Sequence, residues 1–187
     1  MLTSRRKELE AIGYEGRTVL VGRSSSKYAW ADLGWRGWTE ETCNVLPDGR
    51  NLEETLNQGV DLSSLPPVWM ALNKGGALGD LLWNGGMMFC FVSDRFVDAV
   101  GDVTTAGYQV LPLDGVPKRG PRFAGYNLLV PDDKDADAHV RGYPFRRGYS
   151  SKLDVSAEVR ESLKRHGATE LIMRDAVKEI RELLDSD

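Results

Sequence analysis

The clearest hydrophobic pattern begins near the middle of the chain, with a short apolar run followed by a capped helix. Residues 87–91 are continuously apolar and predict a strand buried on both faces of a sheet. Ser93 stands where an N-cap belongs, and Phe96 and Val100 form an apolar pair one turn apart behind it. Gly101 stands where this helix is expected to end. The pattern therefore predicts a central strand that leads directly into a short helix.

More strands and a final helix follow this unit. Residues 107–113 and 122–130 are rich in strand-forming residues, with a Pro-Lys-Arg-Gly turn segment between them, and we expect them to pair as a hairpin. Residues 169–173 predict another strand. The apolar positions in residues 176–184 recur with the period of a helix.

The pattern around Ser93 recurs around Ser156, 63 positions later. Ser156 also follows a valine, and apolar Val159 and Leu163 follow it at the same spacings. Basic residues and Gly167 close this second helix, as the helix dipole favours. Two explanations stay open, an ancient duplication or a chance likeness between two capped helices.

The first 86 residues are punctuated by glycine and proline and predict short elements joined by ordered loops. Residues 18–21 form a β-branched apolar run that predicts a strand, and Asn51 predicts the N-cap of a short helix. All five tryptophans lie in this part of the chain.

These elements predict an α/β (α+β) fold with one mixed or antiparallel central sheet and short N-capped helices packed on it. We expect a single domain over residues 1–187. Its N-terminal part, 1–86, is loop-rich and contains the tryptophans, whereas the part from 87 to 187 consists of strands and helices.

Composition and charge narrow the class of protein. Of the 187 residues, 41% are hydrophobic and 28% are charged, which is ordinary for a globular chain with a sizeable core. The net charge of −4 offers no basic footprint for nucleic acid. With no secretory signal and no apolar run near the roughly 20 residues of a membrane span, we expect a soluble cytoplasmic protein that does not enter the membrane.

No catalytic, metal or cofactor motif is recognisable. Cys43 and Cys90 predict reduced thiols, and these cysteines together with His139 and His166 lack the spacing of zinc ligands. His166 has a structural explanation at a helix C-terminus, and His139 is a base only if the fold brings it to Cys43. We therefore predict no catalytic residue, no metal and no cofactor.

Two groups of residues are candidates for binding a partner, and each has a plainer alternative. Trp30, Trp35 and Trp38 lie within nine residues, interleaved with glycines, and are either core residues or interface anchors. The acidic segment is either a solvated loop or a surface that meets a basic partner. Its candidate residues are Asp132, Asp133, Asp135 and Asp137.

Roughly residues 87–175 resemble the bacterial polymorphic-toxin immunity proteins of the myxobacterial type. Members of that family similarly place a Val-Ser-capped helix before a strand, a tyrosine-led strand before an acidic segment, and a second Val-Ser helix before a Gly-led strand. The matching segments here are 91–97, 110–113, 126–130, 155–159 and 167–171. The last of these segments departs from the family pattern.

The resemblance implies a non-catalytic immunity protein that binds and neutralises a cognate toxin by occlusion. The expected partner is a toxin whose active-site cleft is basic. One alternative is a small-molecule hydrolase or transferase that uses Asp132, Asp133 or Glu40 beneath the tryptophan segment. The other is a structural or phage-encoded interaction module, which shares the binding surface and differs in its partner.

Overall fold

The computed structural model describes residues 13–23, 25, 27–37, 45–59, 61–84, 89–132, 137–142 and 152–185. Their strands are β1 Thr18–Gly22, β2 Trp30–Trp35, β3 Val68–Lys74, β4 Leu81–Leu82, β5 Cys90–Ser93, β6 Tyr108–Val116, β7 Phe123–Pro131, β8 Val140–Gly142, β9 Lys152–Val155 and β10 Leu171–Asp175. Their α-helices are α1 Leu52–Asn57, α2 Asp94–Gly101, α3 Ala157–Arg165 and α4 Ala176–Asp185, and Leu62–Ser64 is a 3-10 helix.

The strands form two sheets. Four antiparallel strands follow the order β10-β1-β9-β8, and six strands follow the order β2-β3-β6-β7-β5-β4, with one parallel pair, β3 and β6. A bridge between Trp30 and Trp83, with a hydrogen bond of 3.0 Å from Ala31 N to Trp83 O, joins β2 to the residue that follows β4. The six strands therefore come round to enclose an apolar core.

The predicted α+β class is confirmed, whereas the single central sheet is replaced by two sheets. The cause is β1, which pairs with β9 on one side and β10 on the other and so builds a second sheet from the two ends of the chain. Strand β1 of the N-terminal part thus lies within a sheet whose other strands come from the C-terminal part.

The predicted helix starts are confirmed. Asn51, Ser93 and Ser156 each accept a hydrogen bond from a backbone N–H in the first turn of the following helix. Gly167, just beyond α3, has φ 66°, the left-handed conformation that glycine adopts without strain. The hairpin of β6 and β7 and the strands at β1 and β10 also follow the predicted order. Of the strand predicted over 87–91, residues 90 and 91 lie in β5, whereas residues 87 and 88 lie outside the described residues.

The repeat around the two serines extends to whole units. We call β4, β5, α2, β6 and β7 the first unit, and β8, β9, α3, β10 and β1 the second unit. Their strand orders, β6-β7-β5-β4 and β10-β1-β9-β8, correspond strand for strand. In the second unit the strand that corresponds to β7 comes from the beginning of the chain.

The registers of the two units also agree. Facing pairs in the first unit are Phe91 with Leu128, Leu111 with Leu128, and Phe91 with Leu82. The corresponding pairs in the second unit are Asp154 with Val19, Arg174 with Val19, and Asp154 with Arg141. Residues of β5 and β6 match those of β9 and β10 at the same 63-residue offset as the serines. A chance likeness of two capped helices would not extend to the register, so the structure favours a duplication.

The units bury their inner faces against each other. Helices α2 and α3 are in contact, and one cluster of buried side chains uses the same positions of both units. Equivalent members are Leu81 and Val140, Cys90 and Leu153, Val92 and Val155, Phe96 and Val159, Val100 and Leu163, and Leu129 and Leu20. This cluster is the shared core.

The outer faces of the units differ. In the first unit, Phe91 and Leu128 lie in an apolar core beneath β2, β3 and α1. In the second unit, Val19 packs against Ala176 and Ile180 of α4, while the position equivalent to Phe91 holds a charged residue, Asp154.

Candidate interaction surface

Strand β2 presents one buried and one half-buried side. Ala31, Leu33 and Trp35 belong to the buried core of the six-stranded sheet, whereas Trp30 and Asp32 are half-buried on the opposite side. Successive side chains of a strand alternate between its faces, so the outward residues of β2 form one surface.

Strand β3 adds a second tryptophan to this surface. Trp69 lies opposite Gly34 of β2. A Cβ atom on Gly34 would lie only 2.6 Å from Trp69 Nε1, so the missing side chain lets the indole cover the backbone of β2. The outward positions of Trp30 and Gly34 are four residues apart along β2, which corresponds to about 13 Å of extended strand.

Trp30 also contacts Trp83, next to β4. The two ring centroids are 4.0 Å apart and the planes are inclined at 80°, an edge-to-face arrangement. Trp30 Nε1 is fully covered and has no hydrogen-bond acceptor among the described residues. Lys74 Nζ lies 4.9 Å from the Trp30 ring centroid, within the range of a cation–π contact.

Cationic side chains also lie over the rings of Trp69 and Tyr28. The guanidinium of Arg122 lies 5.9 Å from the ring of Trp69, and Arg23 and Lys27 lie 5.7 and 5.4 Å from the ring of Tyr28. We call this surface the aromatic face. It consists of Tyr28, Trp30, Trp69 and Trp83 with Arg23, Lys27, Lys74 and Arg122.

Some of its polar groups are paired within the chain. The Tyr28 hydroxyl donates to Glu170 Oε2 at 2.6 Å, and Arg23 Nε lies 3.1 Å from the same oxygen. The hydrogen bond to the Glu170 carboxylate, followed by burial, raises the pKa of Tyr28. Asn73 donates to Asp32 between the two indoles. The bond to Glu170 holds the Tyr28 ring in place.

The structure separates the three predicted tryptophans. Trp30 lies on the aromatic face. Trp35 is only 2% exposed and belongs to the core, so its side chain cannot anchor a partner, and the alternative of a core residue holds for it. Trp38 lies outside the described residues.

The predicted acidic loop is described only at its ends. Asp132 and Asp137 are exposed, and Asp132 N donates to Gly107 O at 2.8 Å, whereas Asp133 and Asp135 lie outside the described residues. Among the contacts of the described part, none joins Asp132 or Asp137 to Trp30. Partner binding by the acidic segment therefore stays a prediction.

His139 lies beside a serine and a carboxylate, but not as a catalytic triad. Ser156 Oγ is 2.9 Å from His139 Nδ1, and Glu158 Oε2 is 4.0 Å from the same nitrogen. A triad uses the two ring nitrogens separately, one for the nucleophile and one for the acid. Ser156 Oγ also accepts from Val159 N as the N-cap of α3. The group therefore caps a helix.

The surroundings of the other candidate catalytic residues, His166 and Cys90, also indicate structural roles. His166 ends α3, and its Nε2 lies 2.8 Å from Asp102 Oδ2 at the end of α2. Burial raises the pKa of the Cys90 thiol to about 12, so this cysteine is a poor nucleophile at neutral pH. Cys43 and Glu40 lie outside the described residues. Within the described ranges, no three His, Cys, Asp or Glu side chains are grouped to hold a metal ion.

A buried charged cluster occupies the outer face of the second unit. Asp154 is 0% exposed, and Arg17 Nε lies 2.9 Å from both of its carboxylate oxygens. Arg141 donates to Asp154 from Nε at 2.9 Å and also from Nη2, and its guanidinium lies over the ring of Tyr14. Arg17 Nη2 further donates to Ala138 O at 2.8 Å. This network is buried and internally bonded, which favours a structural role.

The aromatic face was only partly predictable. Trp69, Trp83 and Tyr28 were not candidates, because this part of the chain predicted loops. The missed signal is the alternation of Tyr28, Trp30 and Asp32 with apolar Ala29, Ala31 and Leu33, which is typical of a half-buried strand.

No protein-family model fits the sequence, and no curated protein is significantly similar to it. A search of the described helices for a membrane span finds none of sufficient length and apolar character.

Proposed function

We propose that this chain is a non-catalytic immunity protein that binds a cognate toxin through the aromatic face and blocks it by occlusion. The observation that carries the proposal is the set of half-buried tryptophans with cations over their rings, on one side of β2 and β3. Tryptophan, tyrosine and arginine are the residue types that most often dominate binding energy at protein interfaces.

Two further points support the proposal. The resemblance over roughly residues 87–175 implies toxin neutralisation. The rigid support of the face also suits binding, since β2 and β3 pair closely over the enclosed core and the indoles need little ordering when a partner docks.

The test is growth rescue with the polypeptide encoded beside this chain's gene. That polypeptide should arrest growth when it is expressed alone, and co-expression of this chain should restore growth. Trp69→Ala should weaken the rescue and raise the Kd of the purified complex by at least about tenfold, as expected for a central interface tryptophan.

Lys178→Ala is the matched control, because Lys178 is exposed on α4 and its only ion pair among the described residues is with Glu182. It should rescue as well as the unaltered chain. Failure of the unaltered chain to restore growth, together with no complex between the purified proteins, would contradict the proposed function.

A further inference from the structure

The cations of the aromatic face fall into two groups. Arg23 pairs with Glu170, and Arg122 lies 3.8 Å from Asp114. Lys27 and Lys74 are exposed, and the contacts described for them are with the rings of Tyr28 and Trp30. No carboxylate contact is described for either lysine within the described part of the chain. Both lysines are thus exposed, with their ammonium groups over aromatic rings.

This local charge is opposite to that of the whole chain. The net charge is −4, so two exposed lysines over half-buried aromatic rings stand out against an acidic background. Complementary charges steer encounter and fix the orientation of a complex, while buried aromatic anchors slow dissociation. The two kinds of group occur together here, since each lysine lies above an aromatic ring.

We propose that the aromatic face binds an acidic, extended segment of a protein partner. The segment's Asp or Glu side chains reach Lys27 and Lys74, and its apolar side chains lie against Trp30 and Trp69. The spacing from Trp30 to Gly34, which faces Trp69, matches about four residues, or about 13 Å, of extended chain. This inference rests on the proposed function, for which it specifies the chemistry of the toxin's docking segment. The basic partner expected for the segment with Asp132 and Asp137 is a separate prediction.

The first experiment uses defined peptides and fluorescence anisotropy. The probes are a labelled peptide of alternating Glu and Leu, the same peptide with Gln for Glu, the same with Lys for Glu, and a single-stranded oligothymidylate. We expect the Glu peptide to bind at least about tenfold more tightly than the Gln peptide at low ionic strength, and its affinity to fall with added salt. Equal affinity for the three peptides would overturn the inference. Tighter binding of the oligothymidylate would also overturn it, because lysines beside aromatic rings can bind single strands as well.

The second experiment compares two double charge reversals with the same change in net charge. Lys27→Glu with Lys74→Glu should remove the preference for the Glu peptide and lower the association rate by about tenfold or more. Lys164→Glu with Lys178→Glu is the control, since both lysines are exposed on helices away from β2 and β3. It should change the rate by less than about twofold. Equal effects of the two reversals would overturn the inference.

The same variants separate this inference from the proposed function. If the polypeptide encoded beside this chain's gene is neutralised equally by the unaltered chain and by the Lys27→Glu, Lys74→Glu variant, the acidic docking segment is wrong and the immunity function stands. If the Glu peptide binds selectively while the neighbouring polypeptide neither arrests growth nor binds, the docking chemistry stands and the immunity function is wrong.

Discussion

The two units share strand order, register and an inner core, yet they stabilise their outer faces by opposite means. Phe91 of the first unit is 0% exposed in an apolar core. Asp154, at the equivalent position of the second unit, is just as buried but is held by two arginines. A fold therefore specifies that a position is buried and leaves open how the burial is compensated.

The difference follows from what covers each face. The outer face of the first unit lies beneath β2, β3 and α1, which contribute apolar side chains such as Trp35 and Met70. The outer face of the second unit lies beneath α4, whose Glu179 accepts hydrogen bonds from Lys152 and Arg174. Strands β2 and β3, which lie outside both units, also contribute Trp30, Trp69 and Lys74 to the aromatic face.

Alanine at the equivalent buried positions should have the largest effect on stability. Phe91→Ala removes apolar contacts and should lower the free energy of unfolding by about 3–5 kcal/mol. Asp154→Ala leaves two buried guanidinium groups without their shared carboxylate and should cost about 3–5 kcal/mol as well. Chemical denaturation of the purified variants measures both.

A triple variant distinguishes the two causes. Arg17→Tyr, Arg141→Leu and Asp154→Phe place the first unit's residues at the equivalent positions of the second unit. Replacing a buried ionic network by apolar groups is often neutral or stabilising, so this variant should be more stable than Asp154→Ala alone. If the triple variant were less stable than the single one, the cluster would contribute through specific bonds and the comparison with Phe91 would not hold.

The contrast between local and long-range features explains what the sequence could predict. The caps at Asn51, Ser93 and Ser156 were predictable, because each depends on a few consecutive residues. The second sheet was not, since β1 meets β9 and β10 from the other end of the chain. Arg17 and Asp154 likewise lie 137 positions apart, and no local pattern pairs them. The aromatic face combines both cases, with a local alternation in β2 and a distant partner strand.

The serine caps should give a smaller and unequal pair of effects. Loss of an N-cap hydrogen bond costs about 1 kcal/mol, which we expect for Ser156→Ala. Ser93 also donates to Asp80, a buried carboxylate that accepts from Thr169 N at 2.6 Å. Ser93→Ala should therefore cost about 2 kcal/mol or more, because it also removes a hydrogen bond to a buried charged group.

Thermal or chemical unfolding of the two alanine variants measures this difference. Ser156→Asn, which keeps a capping side chain, is the control and should recover most of the lost stability. Equal losses for the two alanine variants would show that the bond from Ser93 to Asp80 contributes nothing beyond the cap.

The smallest effect is expected for a substitution of Glu179. It tests whether the charged outer face of the second unit makes the free energy of unfolding depend on pH. Burial acts to raise the pKa of Glu179, but hydrogen bonds from Lys152 and Arg174 outweigh it and hold the pKa below its ordinary value. A carboxyl whose pKa is lower in the folded state stabilises the fold above its unfolded pKa of about 4.3, and this contribution is lost as the pH falls through the folded pKa. Glu179→Gln should therefore lower the free energy of unfolding more at neutral pH than at pH values below the folded pKa.

The control is Glu161→Gln on α3, where exposed pairs with Arg160 and Lys164 should contribute little. If Glu179→Gln lowered the free energy of unfolding by the same amount at neutral and at acidic pH, the charge of Glu179 would not stabilise the second unit. The outer face of the second unit would then be stabilised by packing beneath α4, as the outer face of the first unit is by its apolar core.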